Sequence, residues 1–582
     1  MVRRAPGTEG DPSIASHGMD ADTRTDEGTD IPRVGTFAPL GVPAYRRIWA
    51  AMVISNIGTF LQLTAGPWLM HELTGSPLLV SLVFTAITLP RLLLTLPAGV
   101  LADVVDRRTL LVVGQMLSAV STGVMAVMTI TNIITPTSLL VLSFALGVGS
   151  AVSLPAAQTL IPDMVPTPLR AQAITLNSAA FNVARALGPS IGGGLVAAGL
   201  TGVAFAVNAV TYLAIVAVLL TYPRQQIEDP TRQRMWRSAA LGVRYVRFTP
   251  DVRVLLVVTA LFALTTAGVQ ALLPSVVSDD LGLGAAGFGL LYGIFGAGAL
   301  TGALTRERAR HRLGSRMLPG SVLTFGLAGV AFGLARDPML SGVALVVAGV
   351  AWVWTLTTLN ASIQILAPRW LRGRIVSLYL LGIGLQPVGS FLSGLLAERI
   401  GSGAAVATLS VFTVLLGVSA LRRDLPVLGN LREPLAAEGW VTPTHPVEVG
   451  GSPIIVTTTW EVDPDELHEF LAVMSELRRQ RFRTGVHRWQ LFRDAGRPYR
   501  ITEIFELHDW DEHLAQHQRM DAEAAAVLLR ARAFDRSGDG PVTRHLAGLD
   551  VVAPDAAPFE DQMLTVHDEA HRTDGSVPLR HI

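Results

Sequence analysis

The chain has 582 residues, of which 50% are hydrophobic and only 16% are charged, and its mean hydropathy is +0.44. A composition this apolar excludes an ordinary soluble protein of this length and favours a membrane protein with many spans. The formal net charge is zero, which provides no basic field for nucleic acid, and the absence of cysteine excludes disulfides, thiolate catalysis and cysteine-bound metals.

Residues 1–44 are polar and lean acidic, and they hold no apolar stretch of the signal-peptide type. Such a composition cannot bury enough apolar surface to fold, so a disordered cytoplasmic tail is predicted ahead of the first apolar stretch. The first membrane span is then expected to direct insertion itself.

Twelve apolar stretches follow, each about 20 residues long, which is the length that a helix needs to cross roughly 30 Å of hydrocarbon. Their predicted limits are 48–70, 77–102, 109–132, 137–161, 172–198, 201–222, 253–277, 286–305, 317–335, 339–366, 374–397 and 403–421. The expectation is an all-α membrane protein with two six-helix halves, residues 45–222 and 253–423, joined by a middle loop over 223–252.

Arginines are shared unevenly between alternate loops. One set of loops holds most of them, among them Arg107, Arg108 and the cluster from Arg306 to Arg316. The other set holds little beyond Arg336 and Arg399. Positively charged loops are retained in the cytoplasm. With an even number of spans, both termini are therefore predicted to be cytoplasmic.

The two halves resemble each other in sequence. Gln158-Thr159-Leu160-Ile161-Pro162, near the end of the fourth stretch, matches Gln364-Ile365-Leu366-Ala367-Pro368 near the end of the tenth. Two further matches follow in the same order: Leu169-Arg170 with Leu371-Arg372, and Gly188-Pro189 with Gln386-Pro387. Transporters that rock two repeats around a central site have paired halves of this kind. A transporter is therefore predicted.

The turn between the second and third stretches combines a small residue with charges of both signs: Gly99, Asp103, Asp106, Arg107 and Arg108. It resembles the Gly-x-x-x-Asp-Arg/Lys-x-Gly-x-Arg/Lys-Arg/Lys signature of the major facilitator superfamily. The resemblance implies a conformational gate, in which the aspartate meets a neighbouring helix end and the arginines in one state only. Val104 and Asp106 depart from that signature. The alternative is a solvated turn that obeys the positive-inside rule.

The fifth stretch carries a small-residue motif made of Gly188, Pro189, Gly192 and Gly193. Gly188 and Gly192 share a helix face and permit close helix contact, while Pro189 loosens the backbone hydrogen bonding. The motif resembles the Gly-Pro-x-x-Gly-Gly signature of export-type facilitators, although Ala184 replaces the upstream glycine. With Leu73-Thr74-Gly75-Ser76-Pro77, it resembles the bacterial branch that includes siderophore exporters. Structural packing alone is the alternative.

Polar side chains inside the apolar stretches are candidates for a substrate cavity, because placing a charge in lipid costs roughly 3 kcal/mol. The candidates are Arg91, Arg185, Asn56, Gln62, Gln158, Gln270, Asn360 and Gln364. The alternative is that they hold helices together or pair with helix-end carbonyls. No carboxylate falls deep within a stretch, so a proton, the coupling ion that the resemblance implies, has no evident carrier. A uniporter-like or otherwise coupled mechanism stays open.

After Asp424 a proline-rich charged linker, residues 424–452, leads to a segment typical of a soluble domain, residues 453–550. Strands are predicted at 454–462, 486–492, 499–507 and 542–549, with helices at 464–483 and 510–534. This βαββαβ order is the ferredoxin-like arrangement of an α+β domain, which is expected to be cytoplasmic. Residues 551–582 are predicted to form a disordered tail.

Within this segment Trp510, His513 and His517 carry a resemblance to the small dimeric domains of the antibiotic-biosynthesis-monooxygenase type. His513 and His517 stand four residues apart and share a helix face, so with Trp489 they are candidates to line a ligand site. Two histidines without further ligands are insufficient for a metal site, and none is predicted. Solvated surface histidines are the alternative.

The combined prediction is a multi-pass plasma-membrane transporter that exports a small organic molecule, such as a drug, a siderophore or a secondary metabolite, by alternating access and without a cofactor. Its predicted partners are the lipid bilayer, the substrate and a coupling proton, and no nucleic acid. The C-terminal domain is expected to dimerise, sense substrate or tune transport. The alternative is a membrane-tethered monooxygenase-like enzyme or sensor whose activity lies in the C-terminal domain.

Overall fold

The computed structural model describes residues 37–222, 235–368, 370–423, 425 and 453–548. The predicted N-terminal tail up to residue 36, part of the middle loop, nearly all of the linker and the C-terminal tail lie outside these ranges. Within them the chain forms a helical bundle followed by a small α+β unit.

In the described part of the chain, six helices form the first half of the bundle. Their bounds are α1 Pro43–Thr74, α2 Pro77–Val104, α3 Arg107–Ile130, α4 Pro136–Asp163, α5 Arg170–Ala197 and α6 Thr201–Leu220. Local capping sets their starts: the Ser76 hydroxyl accepts a hydrogen bond from Leu79 N at 3.2 Å. Proline opens α1, α2 and α4, where its missing N–H is tolerated.

The second half contains helices α7 Met235–Phe248, α8 Pro250–Ala271, α9 Leu273–Ser275, α10 Ala285–Leu313, α11 Met317–Leu334, α12 Pro338–Leu366, α13 Arg372–Ile383, α14 Gln386–Ile400 and α15 Ser402–Leu421. Helix α7 lies in the predicted middle loop and was not predicted, because its arginines interrupt any long apolar run. The predicted single span 374–397 is also broken, since Pro387 starts a new helix after Gly384 and Leu385.

Ten helical segments of the described residues are long and apolar enough to cross a membrane. One of them, Ala285–Leu334, contains both α10 and α11, and another joins α13 to α14. These segments confirm a mostly helical membrane protein, whereas the count of twelve spans stays a prediction. The core of the second half includes Phe262, Phe325 and Trp352, whose ring centroids lie 5.4 to 5.7 Å apart.

The C-terminal unit follows the order β1 Ile454–Glu461, α16 Leu467–Thr484, β2 Arg488–Arg493, β3 Arg500–Leu507, α17 Trp510–Gln518, α18 Ala522–Arg532 and β4 Val542–Ala547. All neighbouring strands are antiparallel, in the order β2-β3-β1-β4, with Ile454 of β1 opposite Leu507 of β3. Alternate residues of β1 and β3 are buried, and Trp460, Phe470 and Leu528 pack in the core.

The predicted helix over 510–534 is wrong in one respect, because the structure divides it into α17 and α18. The second of these helices has its own N-cap, since Asp521 Oδ1 accepts a hydrogen bond from Ala524 N at 2.8 Å. The break allows the two short helices to pack at different angles on the same face of the sheet.

Candidate functional site

The two halves of the bundle meet closely at the end that bears few arginines, called here the arginine-poor end. A Cβ added to Gly193 of α5 would lie only 2.5 Å from Gly289 Cα of α10, so the two backbones touch. Helices α2 and α14 meet in the same way, with Thr85 Oγ1 2.6 Å from Ser390 Oγ. Small residues make this approach possible.

Aromatic and polar contacts also join the halves at the arginine-poor end. Trp68 of α1 stacks on Phe288 of α10, with ring centroids 5.7 Å apart. His71 Nε2 lies 3.5 Å from Asp279 Oδ1. The Glu398 carboxylate accepts hydrogen bonds from the Ser76 hydroxyl and from the backbone N–H of Leu78. This end of the bundle is therefore closed.

The opposite, arginine-rich end leaves a polar face of α5 exposed. Ser178 and Asn182 lie on this face, and their described hydrogen bonds stay within α5, with Ser178 Oγ donating to Ile174 O at 3.0 Å. Arg185 follows one turn later, where Gly296 of α10 packs against the backbone of α5, and it lies near both Phe60 of α1 and Tyr292 of α10. The exposed face of α5 is called here the cleft, and Arg185 lies at its inner end.

Arg185 is half-buried and is held by aromatic rings. Its Cζ lies 5.1 Å from the Phe181 ring centroid and 5.9 Å from the Phe60 ring centroid. Among the described residues, its guanidinium has neither a hydrogen-bond partner nor an ion-pair partner. Cation–π contact stabilises the charge but leaves the N–H groups of the guanidinium available.

Arg91 occupies a similar level on α2. Its Nε and Nη2 donate to Ser150 Oγ of α4 at 3.2 and 2.8 Å, and the side chain is exposed. The next residue, Leu92, faces Gly384 of the second half, where an added Cβ would lie 3.1 Å from Leu92 Cδ1. Both arginines predicted within the membrane therefore lie near the place where the cleft closes.

The second half contributes a cavity of about 350 Å³ between α10 and α12. It is lined by Arg306, Thr357, Asn360, Ala361, Gln364 and Ile365. Gln364 Nε2 donates to Asn360 Oδ1 at 3.0 Å. Arg306 Nε is buried and has no hydrogen-bond partner in the described part of the chain. Asn360 and Gln364 were predicted to line a cavity, whereas Arg306 was interpreted only as a loop charge.

The other predicted cavity residues lie elsewhere. Gln62 is 2% exposed, and its Oε1 accepts hydrogen bonds from Thr122 and Asn208 of neighbouring helices. It therefore holds the first half together and does not line the cleft in this structure. Asn56 and Gln270 are half-buried. The side chain of Gln158 lies outside the described residues.

The predicted gate is described only in part, because the surroundings of Gly99 and the side chain of Asp103 lie outside the described residues. Asp106 Oδ2 caps α3 by accepting from Thr109 N at 3.0 Å. Arg108 Nε and Nη2 donate to the carbonyls of Leu219 and Leu220 at the end of α6, each at 2.8 Å. These bonds stay within the first half, and Arg107 is half-buried beside them.

The glycine motif of α5 faces two different neighbours. A Cβ on Gly188 would lie 2.5 Å from Phe60 Cβ, and one on Gly192 would lie 3.1 Å from Leu61 Cα, so both glycines face α1 within the same half. Gly193 faces Gly289 of the other half, and Pro189 is buried between these two directions. The motif thus lies at both an internal and a cross-half contact.

The two histidines predicted to line a ligand site, His513 and His517, are not solvated. His513 is 1% exposed and His517 is 5% exposed, and the ring of His513 lies 4.7 Å from that of His517 and 4.6 Å from that of His545. Burial, with smaller contributions from the neighbouring histidines and Arg481, lowers the pKa of His513 to about 2 and that of His517 to about 3. Among the described residues, no group of three or more histidine, cysteine, aspartate or glutamate side chains could hold a metal ion.

A buried ion pair lies beside these histidines and was not predicted. Arg481 Nε donates to Glu503 Oε1 at 3.0 Å, and the two residues are 3% and 0% exposed. Trp489 Nε1 donates to the same oxygen at 2.8 Å, so Trp489 serves the pair instead of an open ligand site. The signal in the sequence is Glu503, a charged residue at an inward position between Ile501 and Phe505.

The C-terminal unit contacts the second half of the bundle through α7 and the segment before α13. Arg244 Nη1 donates to Val486 O at 2.8 Å, and the Phe248 ring stacks on that of Phe482 at 4.7 Å. Arg519 Cζ lies 4.5 Å from the Trp370 ring centroid. These contacts cover the arginine-rich end of the second half.

Paired helical halves, a polar cleft closed at one end and a family-like turn together describe a transporter. Residues 34–551 match the family described as transmembrane secretion effector. The chain belongs to this family of major facilitator transporters. The match extends beyond the bundle, because it includes the described strands and helices of the C-terminal unit.

This transmembrane secretion effector is 28% identical to the multidrug efflux pump Tap of Mycolicibacterium fortuitum over 391 residues, which cover 64% of this chain and 93% of Tap. It is 26% identical to the enterobactin exporter EntS of Shigella boydii, over 58% of this chain and 81% of EntS. The family and these relatives are transporters, so the chain is a transporter and not an enzyme.

A crystal structure of the nucleoside transporter NupG aligns with this transmembrane secretion effector at a TM-score of 0.54 and 13% identity, over 65% of this chain and 98% of NupG. At this identity the likeness shows the fold alone. That fold is the one that the sequence resemblance implied.

Proposed function

We propose that this transporter exports a small organic molecule by alternating access. In the conformation described above, the substrate binds in the cleft. The observation that carries the proposal is the closure of the arginine-poor end by α5 on α10 and α2 on α14, while the polar face of α5 stays exposed towards the other end. Efflux by Tap and export by EntS support this direction of transport.

The arginine distribution supports a cytoplasmic location for the open end and for both termini in the plasma membrane. Substrate then enters the cleft from the cytoplasm. Twelve spans are proposed, because α5 is a 28-residue helix in addition to the ten apolar segments, and Ala285–Leu334 holds two helices. Helix α5 falls short on hydropathy because it carries the polar face of the cleft.

Proton coupling is part of the proposal. The contact between His71 Nε2 and Asp279 Oδ1 joins the two halves at the arginine-poor end, where an imidazole and a carboxylate lie 3.5 Å apart. Protonation of this pair on the outer side is proposed to accompany opening of that end. An imposed pH gradient should then drive transport, and a histidine-to-glutamine change at position 71 should weaken that drive.

The C-terminal unit is proposed to be a ferredoxin-like domain that tunes transport and dimerises. Its element order and its sheet order β2-β3-β1-β4 support the fold. The sheet face opposite its helices exposes apolar side chains, including Phe492 at 47%, Leu546 at 50% and Val542 at 39%. A second copy of the domain is proposed to cover this face.

The test of alternating access is to prevent the closed end from opening. The chain has no cysteine, so Thr85→Cys together with Ser390→Cys introduces one cross-half pair in a background without other thiols. We expect oxidised protein in proteoliposomes to lose efflux of the fluorescent dyes rhodamine 6G and carboxyfluorescein, and a reductant to restore it. Thr85→Cys alone is the control.

Unchanged dye efflux after complete crosslinking would contradict alternating access at this end. Failure of the parent protein to move either dye, or any member of a wider panel of drugs and siderophores, would contradict the exporter proposal itself.

A further inference from the structure

Arg185 is a cation near the middle of the membrane-spanning part of α5, and its environment is incomplete. Such a charge is expensive in lipid and normally pairs with a carboxylate or with backbone carbonyls. In the described residues Arg185 interacts with the rings of Phe60 and Phe181 and lies near Tyr292 of α10. No described residue accepts a hydrogen bond from its guanidinium, so the N–H groups retain donor capacity.

Described carboxylates of the bundle lie at its two ends and not around the cleft. Glu72, Asp279, Asp280 and Glu398 lie at the arginine-poor end, and Glu307 at the arginine-rich end is paired with Arg310 of its own helix. None of these acids is placed to neutralise Arg185. A ligand that enters the cleft therefore meets positive charge without a compensating acid from these residues.

The second half contains a further arginine with unused donor capacity. Arg306 lies in the cavity between α10 and α12 with Asn360 and Gln364, and its buried Nε has no described hydrogen-bond partner. A buried N–H without a partner is costly, and a ligand oxygen is one group that can satisfy it. The two halves thus each contribute a guanidinium with unused donor capacity.

We propose that the cleft selects an organic anion, whose carboxylate docks on Arg185 while an apolar or aromatic part of the same molecule packs against Phe181. This inference rests on the proposed function and deepens it by naming the substrate class. Guanidinium groups bind planar oxyanions through two parallel N–H···O bonds, and they do so most strongly where water is excluded. Organic cations are disfavoured, because their charge repels both Arg185 and Arg306.

Two xanthene dyes of similar shape and opposite charge provide the test: anionic carboxyfluorescein and cationic rhodamine 6G. Binding to the purified full-length protein is measured by fluorescence anisotropy, and transport is measured in proteoliposomes. We expect the parent protein to prefer carboxyfluorescein, and Arg185→Gln to raise the Kd for that dye by roughly tenfold or more, as the loss of a charged hydrogen-bond donor predicts. Arg185→Lys should retain part of the affinity.

Arg399→Gln is the matched control, because Arg399 is exposed on the last turn of α14, away from the cleft. It should leave the Kd unchanged. A thermal melting curve of each variant separates loss of the anion site from loss of the fold, and only a folded Arg185→Gln protein is compared.

The outcomes separate the two levels of the proposal. Equal binding of carboxyfluorescein by the parent protein and by Arg185→Gln overturns the inference, as does a preference of the parent for rhodamine 6G. Transport of rhodamine 6G without carboxyfluorescein leaves the exporter proposal intact and overturns only the anion selectivity. Transport of neither dye or of any panel member counts against both.

Discussion

The two ends of the bundle differ in how the halves are held together. At the arginine-poor end, backbones touch through glycines such as Gly193 and Gly289, and a few side-chain contacts cross between the halves, among them the buried contact of Thr85 with Ser390. At the arginine-rich end, the described hydrogen bonds of Asp106 and Arg108 remain within one half. There, α7 and the C-terminal unit cover the second half.

Because of this difference, the closed arginine-poor end can open without a large free-energy penalty. Separating glycine-lined backbones exposes little polar surface, so the closed end loses mainly dispersion contacts when it opens. Capping bonds inside each half are preserved, because neither partner crosses to the other half. Movement of rigid halves is therefore favoured over rearrangement within a half.

The largest expected effect on transport comes from filling the glycine contact. In Gly193→Leu the new side chain meets the backbone of Gly289, and overpacking of this kind costs about 1–3 kcal/mol. We expect the arginine-poor end to open and transport to fall by roughly tenfold or more. Spin labels at Ile133→Cys and Met339→Cys, both exposed and in opposite halves, measure the separation.

Gly194→Leu is the control for this prediction, since nothing lies within 4 Å of a Cβ at Gly194. It should leave the spin-label distance and the transport rate unchanged. A closed end that persists in Gly193→Leu would show that the glycine contact does not set the position of the halves.

A second prediction concerns the unit that covers the arginine-rich end. His513 and His517 have pKa values of about 2 and about 3 in the folded state, whereas an unfolded histidine titrates near 6.5. Below pH 6.5 the unfolded state binds more protons, so the free energy of unfolding of this unit falls as the pH drops from about 6.5 towards 3. The loss is on the order of 1.4 kcal/mol per pH unit for each histidine.

Amide hydrogen exchange of β1 to β4 in the full chain, followed from pH 7 to pH 4, measures this dependence after correction for the intrinsic exchange rate. His513→Leu should flatten it, whereas His468→Leu, at an exposed position, should not. A pH-independent stability of the sheet would contradict the burial of neutral histidines.

The third prediction tests the contact between α7 and the C-terminal unit. In Arg244→Gln the hydrogen bonds to the carbonyls of Gly485 and Val486 are lost, which should weaken docking by about 1–2 kcal/mol. Limited proteolysis of the linker should become several-fold faster. Arg497→Gln, at an exposed position between β2 and β3, should leave the rate unchanged, and equal rates for both variants would argue against docking through Arg244.

The smallest expected effect comes from the rim of the closed end. Glu398 is exposed, and its bonds to Ser76 and Leu78 are worth no more than about 1 kcal/mol together. Glu398→Gln should therefore shift the opening equilibrium only by a few-fold, measured with the same spin labels. Glu307→Gln removes an exposed carboxylate at the other end and should shift nothing. A larger shift in Glu307→Gln than in Glu398→Gln would contradict the assignment of the closed end to the arginine-poor side.

Much of the helical fold follows from the sequence, because apolar runs, prolines at helix starts and capping side chains such as Ser76 act locally. Helix α7 could not be found in this way, since its Tyr245 is buried only by contact with distant parts of the chain. The same limit applies to His513 and His517, whose spacing predicts a shared helix face but not whether water or the sheet lies against it.

The candidate site was predicted unevenly for a related physical reason. Arg185 and Asn360 were predicted as cavity residues because a polar residue in an apolar run is conspicuous. Gln62 carries the same signal, yet it is enclosed by Thr122 and Asn208. The sequence alone cannot distinguish such a buried residue from Arg185 or Asn360. Arg306 was missed because α10 continues two turns beyond the apolar run, which brings a charge assigned to a loop into the cavity wall.

Helix α7 connects to α8 through Thr249 alone. The C-terminal unit contacts α7 at Phe248 and Arg244. Both contacts lie within five residues of that connection, so the C-terminal unit is attached next to α8 and would follow a rocking movement of the second half. The C-terminal unit would then move together with the second half, relative to the membrane. A fluorophore attached to the C-terminal unit would report each conformational change of the transporter from a position outside the membrane.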